Sequence, residues 1–207
     1  MVAGVVGIVL AAGAGTRMGA PKALVRDAAG TPWVVGAARA LSDGGCTPVL
    51  VVVGATAAEV RAALGDADVE VIEADDWALG MGSSLRAGLA AAEATDAAAA
   101  MIHLVDLPGV GADVVRRLRA RAAPGVLARA GYGAHRYGHP VLIGREHWAG
   151  VADAASGDTG ARTYFATHDV ATVDCGDLAD GADVDRAGDL PAGSTLPVGS
   201  TVPRLTV

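Results

Sequence analysis

The sequence predicts an α/β fold in three layers, a mostly parallel sheet with helices on both faces, and three observations carry that expectation. Apolar runs recur at residues 7–11, 48–53 and 97–105, each short enough for a strand buried on both faces, and 69–74, with Glu70 and Glu73, reads as a further strand between them. Helical segments fall between them at 31–41, 57–64 and 83–94, and strands alternating with helices form right-handed βαβ units around a parallel sheet. A length of 207 residues is enough for one α/β domain with a proper core and too short for two large ones. The expected layout is one domain over residues 1–190, followed by a flexible tail over 191–207.

Charge and composition exclude several classes. The net charge is −7, so no basic field would steer nucleic acid or an anionic membrane surface to this chain. Every long apolar run is broken by glycine, charge or proline before about 18 residues, which argues against a membrane span. The N-terminus runs straight into a strand without a basic, cleavable leader, so a cytoplasmic location is expected. Cys46 and Cys175 lie far apart, with no ligand spacing that suggests zinc, and read as two reduced thiols.

The first strand delivers its carboxyl end to Ala12-Gly13-Ala14-Gly15, where backbone N–H groups stand almost free of side-chain bulk and an anion can approach closely. Arg17 and Lys22 follow, a planar fork and a compact ammonium suited to different oxygens of a polyphosphate. Pro21 stiffens the turn before Lys22. The dinucleotide fingerprint is excluded because Met18 stands where its third glycine would be, and because the second strand ends in Gly54 rather than an acid. A Walker A loop is excluded as well, since Lys22 follows Pro21 and precedes Ala23.

Pro32 near a helix start opens the helix at 31–41, and Ser42-Asp43-Gly44-Gly45 stops it. After the third strand, Gly80 and Gly82 free the backbone, and Ser83 or Ser84 can cap a helix whose N-terminus favours an anion or the polar edge of a base. The fourth strand ends in Asp106, followed by Pro108. A carboxylate there stands where α/β sheets place ligands and suits Mg²⁺, the alternative being a cap for a helix beginning near Gly111. Residues 113–122 form an amphipathic helix whose arginines read as a solvated face. From Gly125 the alternation weakens and the topology is expected to leave the doubly wound pattern, with strands at 126–130 and 140–143. His139 beside the latter is either an orienting group or a hydrogen-bonded structural histidine, and His135 and Arg136 are weaker candidates. Asp158 is a candidate cap for a helix running to about Thr167, and a last strand covers 170–175. Asp183 and Asp185 lie in the segment before the tail.

Several of these strings, in order, resemble the MobA-like nucleotidyltransferases, closest to the molybdenum cofactor cytidylyltransferase (MocA-like) branch. They are residues 8–24 with A-A-G-x-G-x-R-M-G-x-P-K-x-L, D-W-x-x-G-M-G-S-S-L-R-A-G-L at 76–89, D-L-P at 106–108, G-H-P at 138–140, G-D-T-G-A-R at 157–162 and D-V-D-R-A-G-D-L at 183–190. Two departures stand out: Val105 replaces the glycine that usually precedes the acid, and Arg186-Ala187 replaces Thr-Pro. The resemblance implies a Rossmann-like fold of the nucleotide-diphospho-sugar transferase type. It implies a nucleotide held by Leu10, Ala11, Ala12, Gly13, Gly15, Lys22, Gly82, Ser83 and Ser84, with Lys22, Arg17 and Asp106 as catalytic residues. Mg²⁺ would be held by Asp106 and by Asp185, which is favoured over Asp183, and the acceptor would lie near His139, Asp158 and Arg162. The implied reaction moves a nucleoside monophosphate, CMP before GMP, from CTP or GTP to a phosphorylated acceptor such as molybdopterin. A molybdenum hydroxylase is the implied partner. Two other readings remain: an oxidoreductase of the branch credited with reducing a pigment of nicotine breakdown, and a nucleotide-binding accessory protein without catalysis.

Overall fold

The structure, a computed structural model, describes residues 4–133 and 136–197. Seven strands form one sheet: β1 (Val5–Leu10), β2 (Val49–Val53), β3 (Glu70–Glu73), β4 (Ala99–Leu104), β5 (Leu127–Gly131), β6 (Tyr137–Gly144) and β7 (Ala171–Asp174), in the spatial order β3-β2-β1-β4-β6-β5-β7. The helices are α1 (Trp33–Asp43), α2 (Ala57–Leu64), α3 (Met81–Ala92), α4 (Ala112–Arg119), α5 (Trp148–Ala154) and α6 (Arg162–Phe165). No helix among the described residues is long and apolar enough to cross a membrane.

The apolar runs behave as their composition requires. Val5 and Val9 of β1 face one core with Val34, Leu41, Val60, Val115 and Leu118 of α1, α2 and α4, whereas Val6, Ile8 and Leu10 face a second with Leu85, Leu89, Trp148 and Val151 of α3 and α5. Apolar residues on both faces are what a central parallel strand needs, and β1 pairs in parallel with both β2 and β4. At the edge, β3 exposes Glu70 and Glu73, charged ends that discourage pairing with another sheet.

The expected change of topology after Gly125 is present. β6 runs antiparallel to both β4 and β5, while β7 returns parallel to β5. β6 is longer than the expected 140–143, because it continues past Pro140 to Tyr137. That continuation is possible because the pairing with β5 shifts between Arg129 and Ala130, leaving His139 and Pro140 without partners in the ladder. A proline lacks the N–H a ladder uses, so it is tolerated at such a bulge, and bulges re-aim the neighbouring side chain.

Two other expectations change. The helix expected from Asp158 to Thr167 is a 3₁₀ turn at Gly157–Thr159 followed by the short α6, and Asp158 makes no side-chain cap there. The arginines of α4 are only partly a solvated face: Arg117 grips Asp177 and the Asp174 carbonyl, and Arg116 reaches the Asp43 carbonyl at the end of α1. Of the segment read as a flexible tail, Thr195 exchanges two backbone hydrogen bonds of 2.9 Å with Arg26, and residues 198–207 lie outside the described residues.

Two glycine substitutions test this packing. A Cβ on Gly144 would lie 2.2 Å from the Pro124 carbonyl oxygen, whereas one on Gly36 in α1 meets nothing within 4 Å. Gly144→Ala should cost roughly 1–3 kcal/mol as overpacking. Gly36→Ala should stabilise by about 0.5–1 kcal/mol through helix propensity. Urea midpoints of the two variants against the parent chain measure both effects.

Candidate active site at the carboxyl ends of β1 and β4

The loop after β1 is held at its base by Ala11 donating to the Val52 carbonyl and Ala55 donating to the Ala12 carbonyl. Its glycines do different work. Gly15 has φ of +67°, and a Cβ on it would sit 1.9 Å from the Ala20 carbonyl oxygen, so this glycine lets the loop close on itself. Gly13 is exposed with nothing within 4 Å of a Cβ position, so no packing within the protein demands a glycine there. Met18 is buried with Val25, Trp33 and Val184, which pins the far side of the loop to α1 and to the C-terminal segment. Pro21 then sets the turn Lys22–Leu24.

That turn presents Lys22 to two carboxylates. Its Nζ donates to Asp106 Oδ2 at 2.9 Å and to Asp185 Oδ1 at 2.5 Å, and Arg17 donates to Asp185 Oδ2 at 2.5 Å. Asp106 reaches the cluster from the end of β4, and Asp185 is brought alongside by the Val184 N–H donating to the Asp106 carbonyl at 2.9 Å. Asp106 therefore does not cap α4, whose first turn opens from Gly111 with no side-chain cap. Asp183 lies exposed. Burial works against the charge on Lys22, but the hydrogen bonds and charges of Asp185 and Asp106 outweigh it and raise the ammonium pKa above its usual value. The hydrogen bond from Lys22, reinforced by the charges of Lys22, Arg17 and Arg186, holds the Asp185 carboxyl below the usual carboxylate range despite its partial burial. Asp106 Oδ1 is buried without a hydrogen-bond partner.

The second glycine motif is occupied by the protein itself. A Cβ on Gly80, at φ of +106°, would lie 2.6 Å from the Gly157 carbonyl and 2.7 Å from Asp158 Oδ1, and one on Gly82 would lie 2.7 Å from the Ser156 nitrogen. These glycines admit the 155–158 loop onto the start of α3, and Arg86 secures it by donating to the Ala155 carbonyl. Neither serine caps the helix. The Ser83 hydroxyl lies 2.7 Å from the Asp76 carbonyl and 2.9 Å from the Gly80 carbonyl, and Ser84 is buried. Asp158 is thereby brought against the Gly80 turn.

His139 stands at the bulge of β6, with its carbonyl accepting from the Tyr132 hydroxyl at 2.7 Å. Burial pushes its ring pKa down to about 4, with the Asp106 charge opposing and the Arg162 charge adding to the shift, so the ring is neutral at pH 7. Behind it lies His103 of β4, unmarked in the sequence reading, 1% exposed and also lowered to about 4 by burial and then by His139. The only signal for His103 was a lone polar residue in an apolar strand. Arg136 donates to the Asp180 carbonyl, and His135 lies outside the described residues. A cavity of about 260 Å³ between α1 and the β4–α4 connection includes none of Lys22, Asp106 or Asp185; the charged cluster lies outside it.

No group of three or more His, Cys, Asp or Glu side chains suited to a metal ion occurs among the described residues. The two carboxylates do fit Mg²⁺, which binds through one or two carboxylates plus substrate phosphates, and Asp106 Oδ1 is a buried acceptor with no protein partner.

The mixed sheet and the glycine loop at its carboxyl edge define a Rossmann-like nucleotidyltransferase fold. Residues 7–173 match the MobA-like NTP transferase domain, and the chain belongs to that family. Nicotine blue oxidoreductase from Paenarthrobacter nicotinovorans is 38% identical over 190 residues, covering 87% of this chain and 92% of the relative. A nucleotidyl transferase from Methanothermobacter superposes with a TM-score of 0.79 at 20% identity, over 89% of this chain and 93% of that one. Rv0371C from Mycobacterium tuberculosis in complex with manganese superposes with a TM-score of 0.69 at 25% identity, over 83% of this chain and 88% of that one.

The ion cluster makes a pH-dependent contribution with a fixed sign. Asp185, with its lowered pKa, adds stability above the carboxylate pKa of the unfolded chain, about 3.9, and that contribution is lost as pH falls through the folded value. Asp185→Asn should cost on the order of 1 kcal/mol at pH 7, and the cost should be smaller at about pH 3, below the carboxylate pKa of the unfolded chain. Urea unfolding of both proteins at the two pH values measures the difference.

Proposed function

We propose that this chain is a Mg²⁺-dependent nucleotidyltransferase that moves a nucleoside monophosphate from a nucleoside triphosphate to a phosphorylated small molecule and releases pyrophosphate. CTP is the favoured donor, GTP the next, and molybdopterin the favoured acceptor. The observation that carries the reading is the Lys22 ammonium lodged between Asp106 and Asp185 beside a glycine loop. Membership of the MobA-like family supports the donor class, and the manganese complex of Rv0371C supports a divalent ion.

In this mechanism an acceptor phosphate oxygen attacks the α-phosphorus in line, and the protein positions and neutralises rather than forming covalent bonds. The open backbone at Gly13 admits a phosphate closely. Lys22 turns to the oxygens on which charge develops, and Arg17 to those of the departing pyrophosphate. Asp106 and Asp185 would hold Mg²⁺, which when bound supplies charge neutralisation to the triphosphate. No strong general base is required, since a phosphate monoester is already largely ionised at neutral pH, and the neutral His139 suits an orienting role near Asp158 and Arg162. The buried, free thiols of Cys46 and Cys175 accord with a cytoplasmic setting.

A second reading follows from the name of the 38% identical relative, an oxidoreductase. Hydride transfer gives no use to a lysine shared by two carboxylates, and the glycine loop lacks the dinucleotide fingerprint.

A thermal-shift panel of CTP, GTP, ATP and UTP with Mg²⁺, followed by pyrophosphate release with molybdopterin, tests the proposal. CTP should raise Tm most, because a ligand that binds only the native state stabilises it. Lys22→Ala and Asp106→Ala should each lower turnover about a hundredfold or more with the fold intact. Consumption of NAD(P)H by a quinone-like substrate, without pyrophosphate release, would replace this reading with the second.

A further inference from the structure

We infer that Lys22 and Arg17 hold the place of a divalent cation, so that metal and triphosphate bind as a linked pair and neither is taken up well alone. The inference rests on the nucleotide-transfer reading above and adds an order of events to it.

The charges balance. Asp106 and Asp185 bring two negative charges, and Lys22 and Arg17 neutralise them with two positive ones. A divalent ion on the same carboxylates carries the same total, but it cannot join the cluster as it stands. Lys22 Nζ lies within hydrogen-bond distance of both carboxylates, so a cation binding both would crowd against a like charge. No larger acidic group is at hand: a cluster of three or more metal-ligating side chains is absent among the described residues.

What draws the two cations away is a triphosphate. Its oxygens accept from an ammonium and a guanidinium as carboxylates do, and carry more charge. Once Lys22 and Arg17 turn to phosphate, the two carboxylates stand uncompensated and become a site for the divalent ion. The reverse also holds, since an ion on the carboxylates frees both side chains for phosphate, and a coupling of this kind must be reciprocal. The backbone at Lys22 has no need to move: Ala23 is buried in the Lys22–Leu24 turn, which anchors it, so the long lysine side chain swings on a fixed base while the exposed Arg17 side chain turns in solvent.

Mn²⁺ alone, counted as free ion by electron paramagnetic resonance at pH 7, provides the test. Lys22→Met should bind Mn²⁺ about tenfold or more tightly than the parent chain, within the range of ordinary site-to-site coupling. Arg17→Gln should tighten binding by a smaller factor, and Lys22→Met combined with Asp185→Asn should lose the gain. If Lys22→Met fails to fold with its carboxylates facing each other, Arg17→Gln carries the comparison, because the Arg17 side chain is 68% exposed. Equal, Asp185-dependent affinity in the parent and both single variants would overturn the place-holding role and leave the metal site standing. Absence of Asp185-dependent Mn²⁺ binding in every protein would overturn the place-holding role and the metal site together.

Discussion

The site depends on one ammonium group shared by two carboxylates. Lys22 belongs to the loop after the first strand, Asp106 to the end of the fourth, and Asp185 to a segment beyond the last. Separately, each is a commonplace charged residue at the edge of a sheet. Their meeting requires that β1 and β4 be parallel neighbours and that the C-terminal segment dock beside Asp106 through the Val184 hydrogen bond. Packing thus does the positioning, and the electrostatics follow: a raised lysine, a lowered aspartate and a buried oxygen on Asp106 left without a partner.

Small residues around this cluster serve two opposed purposes. Gly15, Gly80 and Gly82 let the backbone approach itself, at contacts where any side chain would collide. Gly13 alone among these four is exposed and unobstructed. A glycine motif read only as an anion cradle therefore overstates the ligand's share. Gly15 is spent on closing the first loop, and Gly80 and Gly82 on bringing the 155–158 loop onto the start of α3, which sets the candidate acceptor residue Asp158 against the glycine turn after Trp77.

Much of this was legible in the letters. The apolar runs of β1, β2 and β4 identified the parallel half of the sheet because a strand buried on both faces has no other composition. The weakened alternation after Gly125 marked a departure from the doubly wound pattern, though not its form, the antiparallel β6. The length of β6 was hidden because Pro140 looks like a strand boundary unless the bulge that accommodates it is known. The role of Ser83 was hidden because its partners are the carbonyls of Asp76 and Gly80, and main-chain partners carry no sequence signature. His103 was passed over because burial in a strand, not spacing, is what distinguishes it. Family membership was legible from several separated motifs, whereas base and acceptor preference depend on contacts the letters do not record.

The place of Asp185 in the chain bears on how the protein is made. Every strand of the sheet precedes it, so a nascent chain can in principle assemble the sheet and present Lys22 to Asp106 before the second carboxylate has left the ribosome. Until Val184 docks, the lysine has one counter-charge and Met18, Val25 and Trp33 lack their fourth neighbour. The glycine loop is then neither neutralised nor pinned. Translation thus delivers every strand before the second carboxylate, and a product terminated between them would lack half of the carboxylate pair.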